Sequence, residues 1–167
     1  MIGRFPAVSA WAALVLIAAP GLGGAQPPLD PTVTKTAESY HPGLGELMTA
    51  FVQPRHTKLG LAGRERNWPY AAYELGELSE TFDDVAQLVP THDNLPIPAM
   101  IASTVKPAMA AVAAAIKSQD AAAFATAYAA LTASCNACHQ SAGHPAIVIQ
   151  VPTASSFPDQ DFRPPQK

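Results

Sequence analysis

From Ala71 to Val89, apolar residues return at alternating steps of four and three: Ala71, Leu75, Leu78, Phe82, Val85 and Val89. This is the stripe of a helix packed against other helices. Glu74, Glu77, Glu80, Asp83 and Asp84 lie off it, where solvent would accept them. Asn67 suits the N-cap, Pro69 the first turn and Pro90 the stop.

Three further segments show helical spacing. The first runs from about Pro42 to Ala62, with Leu44, Met48, Phe51, Val52 and Leu59 in phase. Pro54 lies inside it and is expected to kink it or start a fresh turn. The third carries Ile97, Ile101, Val105, Ala108, Val112 and Ile116, with a bend expected at Pro107. The fourth starts after Ser118 or Asp120 as N-cap and carries Phe124, Tyr128, Leu131, Cys135 and Cys138 before Gly143 stops it. Thr91 to Asn94 reads as a polar turn. Four helices with short connections predict an all-α fold, an antiparallel four-helix bundle over 42–143. The tail, 144–167, holds one extended-looking run, Ile147 to Val151, amid Pro, Ser and Asp, and is expected to wrap the bundle or hang free.

Residues 1–25 read as a signal peptide. Arg4 gives the positive start, Val8 to Ala19 the apolar run, and Gly23 and Ala25 the small residues before cleavage. Residues 26–41 are expected to form a flexible arm. The apolar run is short for a bilayer, and no later stretch is expected to span one, so the mature protein should be soluble and periplasmic. Only 14% of residues are charged and the net charge is −3. That balance offers no basic footprint for nucleic acid and no cationic cluster for anionic lipid.

The chemistry sits in Cys135-Asn136-Ala137-Cys138-His139. A C-x-x-C-H run reads as covalent attachment of one haem c. Each thiol adds across one vinyl group of the porphyrin, and two intervening residues match the vinyl separation. The adjacent His139 then binds the iron. Three other chemistries use paired cysteines. A thioredoxin-type pair should open a helix, whereas this one lies near the end of an Ala-rich helix. Zinc would need help from His56, His92 or His144. A disulfide across so small a loop would add little stability. Haem attachment is the reading these residues favour. Phe124, Tyr128 and Leu131 lie on the same face before Cys135 and are candidates to cover the ring, although ordinary core packing explains them equally. A buried Tyr128 would need a partner for its hydroxyl.

Four helices with C-x-x-C-H in the last one resemble the class II c-type cytochromes, a group that includes cytochrome c′ and Met-ligated low-spin relatives. The likeness spans about Pro42 to Gly143. Arg55-His56-Thr57-Lys58-Leu59, Ala62-Gly63, Asn67-Trp68 and Tyr73-Glu74-Leu75 also look like exported haem proteins ending in Cys-Asn-Ala-Cys-His. The resemblance to the Met-ligated relatives implies an electron carrier with redox partner proteins, and makes a homodimer through the first two helical segments plausible. Trp68 would join that interface if exposed, with a core role as the equal alternative. It also implies a sixth ligand from the first helix, and Met48 is the residue so placed. His56 is the rival, with Met100 and His144 behind it. An open sixth position would instead suit NO or CO binding. A peroxidase-like enzyme would need a distal acid–base residue, for which His56 is the visible candidate. Arg55 and Lys58 are either propionate partners or exposed helix cations.

Overall fold

A computed structural model describes residues 40–166. All of them belong to the unit Ser39–Lys167. The signal peptide and nearly all of the expected arm therefore lie outside the described residues. The described chain is all-α apart from one minimal hairpin. In order it contains α1 (Leu44–Leu47), α2 (Gln53–Arg64), α3 (Trp68–Leu88), β1 (Thr91–His92), β2 (Leu95–Pro96), α4 (Ile97–Met100), α5 (Lys106–Ser118) and α6 (Ala121–Ser141). The helix calculated from the α3 stripe forms as expected. The Asn67 side chain accepts from Tyr70 N at its start, at 3.4 Å. Asp120 caps α6 by accepting from Ala122 N and Ala123 N, at 2.9 and 3.0 Å.

The two interior prolines do not break their helices. α1 runs into α2 through a π-helical turn, Met48–Val52, and α4 runs into α5 through another, Ile101–Val105. In each case the proline is the second residue after the wide turn. Proline has no N–H for the carbonyl four residues back, and its ring crowds that carbonyl. A wide turn shifts the hydrogen bonds by one: Gln53 N bonds Met48 O, and Lys106 N bonds Ile101 O. The expected kink is thus replaced by an inserted residue.

α2 packs on α3 and α6, and α5 packs on α3 and α6. The buried core is contributed by all four helical stretches, with Leu59, Leu78, Val85, Val112 and Leu131 fully enclosed. Leu88, by contrast, is exposed. Two glycines set the approach of α2 to α6. A Cβ on Gly60 would overlap the Tyr128 ring, and one on Gly63 the Phe124 ring. Trp68 is half-buried with its edge against Phe124, so it serves the core.

Glu74 corrects the expectation of a solvated acidic face. It is 1% exposed, with Arg55 Nη1 3.5 Å away, while Arg55 Nη2 reaches Glu77 at 2.7 Å. Arg55 is therefore an ion-pair partner inside α2–α3 packing and not a free helix cation. Lys58 lies over the Phe157 ring at 4.8 Å.

The helix Ile97–Ser118 also corrects the membrane expectation, because it is long and apolar enough to cross a bilayer by length and composition. Its large side chains, Ile97, Ile101, Val105, Met109, Val112 and Ile116, are all buried in the core, and its exposed positions are largely alanine. The buried aliphatic stripe and the exposed alanines together give the helix its hydropathy.

The tail does not hang free. Arg64 donates to the carbonyls of Pro152 and Thr153, at 3.3 and 3.0 Å, and Asn67 donates to that of Arg163 at 3.1 Å. Phe162 is buried and stacks on Tyr70. The tail straps the α2–α3 side of the fold.

Gly63→Ala should destabilise the protein by about 1–3 kcal/mol, since overpacking against Phe124 outweighs the helix-propensity gain. Gly76→Ala, with open space around it in α3, should stabilise by about 0.5–1 kcal/mol. Urea denaturation of the two variants checks both signs.

Candidate haem-attachment site

Cys135, Cys138 and His139 occupy the last two turns of α6. Steps of three and four put all three on one face of the helix. Both cysteines are half-buried and unbridged. Burial pushes the Cys135 thiol up to about 11, with the neighbouring Cys138 adding to the rise, and burial also raises Cys138. The pair therefore sits as protonated thiols at neutral pH, the reverse of the lowered thiol that dithiol redox chemistry needs. Their place at the C-terminal, negative end of the helix dipole acts in the same sense.

α6 ends in a Schellman motif. Gly143 takes φ +80, Gly143 N bonds Gln140 O at 3.1 Å, and His144 N bonds His139 O at 2.8 Å. The chain then turns back along the helix. Asn136, between the two cysteines, grips this returning strand with both ends of its amide. Its Nδ2 donates to Ile149 O at 2.9 Å, and Ile149 N donates to its Oδ1 at 2.7 Å. Two residues earlier, the Ile147 carbonyl accepts from His139 Nδ1 at 2.9 Å. A proton on Nδ1 leaves Nε2 as the ring's lone-pair donor, the arrangement that orients metal-bound histidines. Ile147, Val148 and Val151 on the same strand are exposed. These exposed aliphatic residues flank the two anchor points of the returning segment on Asn136 and His139.

One turn deeper lies a buried polar cluster. His56 of α2 has its Nε2 3.0 Å from Thr132 Oγ1 and its Nδ1 3.1 Å from Tyr128 Oη, and its ring stacks on Tyr128 at 4.8 Å. Tyr128 has one hydroxyl proton, which points at the His56 carbonyl at 2.7 Å and is shared in a bifurcated bond with His56 Nδ1 at 3.1 Å, and Thr132 donates to the Tyr128 carbonyl at 3.0 Å. Thr132 must then accept from His56 Nε2–H, so the imidazole is the neutral Nε2 tautomer. Burial agrees, lowering His56 to about 4. Burial also raises Tyr128, with Cys135 contributing. The hydroxyl of Tyr128 thus has its partner, and His56 has no free nitrogen.

The expected site residues fall into separate groups. Cys135, Cys138 and His139 stand together. Tyr128 joins His56 and Thr132 beneath them, while Leu131 is fully enclosed nearby on the same helix. Phe124 is a further turn away, against Gly63 and Trp68. Met48 opens the first π-helical turn and Met100 immediately precedes the second; both are half-buried against the core. His144 lies with His92 and Asp93. Asn136 and the Ile147 carbonyl carry no signal that the sequence would single out, because their roles depend on the return of the tail. Two surface clefts, one lined by Asp161, Arg163 and Pro164 and the other by Leu61, Arg64 and Phe162, include none of the haem-motif residues.

No protein-family model, curated protein or solved structure matches the chain.

The His56 cluster makes stability depend on pH. Its unfolded value is 6.5 and its folded value about 4, so the unfolded chain binds more protons between them. Stability is fully present above pH 6.5 and is lost as pH falls towards 4, by about 3 kcal/mol if the whole shift counts. Denaturation curves taken through that range should show the loss, and His56→Gln should flatten it.

Proposed function

We propose that this chain is an exported mono-haem c-type cytochrome that carries electrons, its porphyrin held by thioethers at Cys135 and Cys138 and its iron by His139. The observation that carries the reading is the hydrogen bond from His139 Nδ1 to the Ile147 carbonyl, which leaves Nε2 for a metal beside two thiols on the same helix face. The residues present fit the group. Protonated thiols suit addition across a vinyl carbon–carbon double bond, with sulfur joining one carbon and the proton the other. The exposed aliphatics Ile147, Val148 and Val151 suit an apolar ring. When bound, the iron supplies one-electron exchange.

On this reading the helical stretches make the antiparallel four-helix bundle of the class II c-type cytochromes. The pairing of α2 with α6 supports it: His56 meets Thr132 and Gly60 meets Tyr128, so four residues up one helix match four residues down the other. Continued eight residues before His56, that register would bring Met48 level with position 140, although the turn Met48–Val52 itself packs on α3. This supports Met48 as the second axial ligand. A π-helical turn beginning at Met48 is the kind of local distortion that re-aims a functional side chain. His56 is the weaker candidate, since ligation would break two hydrogen bonds in a buried site. The same satisfied nitrogens leave it without a free group for peroxidase-type proton transfer.

The chain's own residues have distinct tasks in this scheme. Asn136 holds the tail, the tail holds the His139 ring, and the buried cluster around His56 fixes the rotation of α6.

Protein matured in a cell that attaches haem should stay red after acid–acetone extraction and gain the mass of one haem. Colourless protein with two free thiols would sink the proposal. A low-spin spectrum with a Met–iron charge-transfer band, lost in Met48→Ala, would identify the sixth ligand; rapid CO uptake by the untouched protein would favour the gas-binding alternative. Asn136→Ala should keep haem attached yet lower stability by about 1–3 kcal/mol, because it removes two bonds to the tail. Thermal denaturation followed at the haem band measures that loss.

A further inference from the structure

We propose that His92, Asp93 and His144 form a binding site for one borderline divalent transition cation, with Zn2+ the natural occupant. This site is separate from the haem motif and does not rest on the haem reading. One donor atom from each of the three side chains lies within 4.8 Å of the other two. His92 Nε2 and Asp93 Oδ2 are 3.7 Å apart. Donors around tetrahedral zinc sit about 3.3 Å apart, from bonds of about 2.0–2.2 Å. Small rotations of the three side chains, His92 half-buried and the other two exposed, close the difference.

The backbones under these donors are fixed independently. His92 pairs with Leu95 across β1 and β2, which leaves Asp93-Asn94 as a two-residue turn. Both turn residues take positive φ, 48 and 65, as a type I′ hairpin requires. His144 is held by the Schellman motif that ends α6, through its N–H to the His139 carbonyl. His144 O also accepts from Ile147 N at 3.0 Å. The donors therefore come from two turns of fixed backbone, and binding has mainly side-chain rotamer freedom left to remove.

The donor set selects the metal class. Two neutral imidazoles and one carboxylate favour Zn2+, Cu2+ and Ni2+ over the oxygen-seeking Mg2+ and Ca2+. Three protein donors leave a coordination position for water. An ion here ties the α3–α4 hairpin to the turn that follows α6, and so steadies the strand on which Ile147 and Ile149 lie.

The test is calorimetric titration of the purified full chain with Zn2+, after iodoacetamide has capped any free thiol. The expected result is saturable binding of one Zn2+ per chain, abolished in His92→Ala and in His144→Ala, weakened in Asp93→Asn, and absent for Mg2+. Zn2+ should also raise the melting temperature of the parent protein but not that of His144→Ala. Absence of saturable binding, or binding unchanged in both histidine variants, overturns the proposal. Circular dichroism verifies that each variant is folded, and His92→Gln and His144→Gln replace any alanine variant that is not.

Discussion

The contact between α2 and α6 governs the geometry of the site. Gly60 and Gly63 have no side chains, so the rings of Tyr128 and Phe124 lie directly on the α2 backbone. That closeness lets His56 reach Thr132 and Tyr128 with both ring nitrogens. Hydrogen bonds are directional, whereas apolar packing alone would tolerate rotation about the helix axis. The cluster therefore fixes which way α6 faces. Cys135, Cys138 and His139 follow on the same rigid helix and inherit that orientation. A buried polar network earns a place in a core only when every member is satisfied, and here no buried side-chain polar atom among the described residues lacks a partner.

A second constraint comes from proline. Pro54 and Pro107 each lie inside a helix, and each follows a π-helical turn by the same interval. The inserted residue keeps the helix continuous where a sharp kink would have pulled its two halves apart. It also rotates the first turn relative to the rest. Met48 and Met100 both sit at these rotated junctions, so the direction of each thioether is set by the backbone response to a proline several residues downstream.

Much of the fold was legible in the sequence because helix periodicity, caps and stops are local. The α3 stripe, the Asn67 and Asp120 caps and the Gly143 stop all correspond to observed features. The π-helical turns were not legible: a proline signals disruption, but tertiary packing decides whether the chain kinks or bulges. Glu74 was misread for a related reason. Its position relative to the apolar stripe says nothing about Arg55, nineteen residues away on another helix, which accompanies it into the interior. The two cysteines and His139 are read from spacing alone. The grip of Asn136 on Ile149 is a contact across thirteen residues that no local pattern encodes.

The tail's position in the chain has a consequence for biogenesis. Residues 147–151 are synthesised after Asn136 and His139, whose side chains have no tail partner until they arrive. A chain emerging N-terminus first exposes both thiols and the imidazole before the strap can close. The hold of Asn136 on Ile149 and of the Ile147 carbonyl on His139 therefore forms last. The order of events is written into the direction of translation.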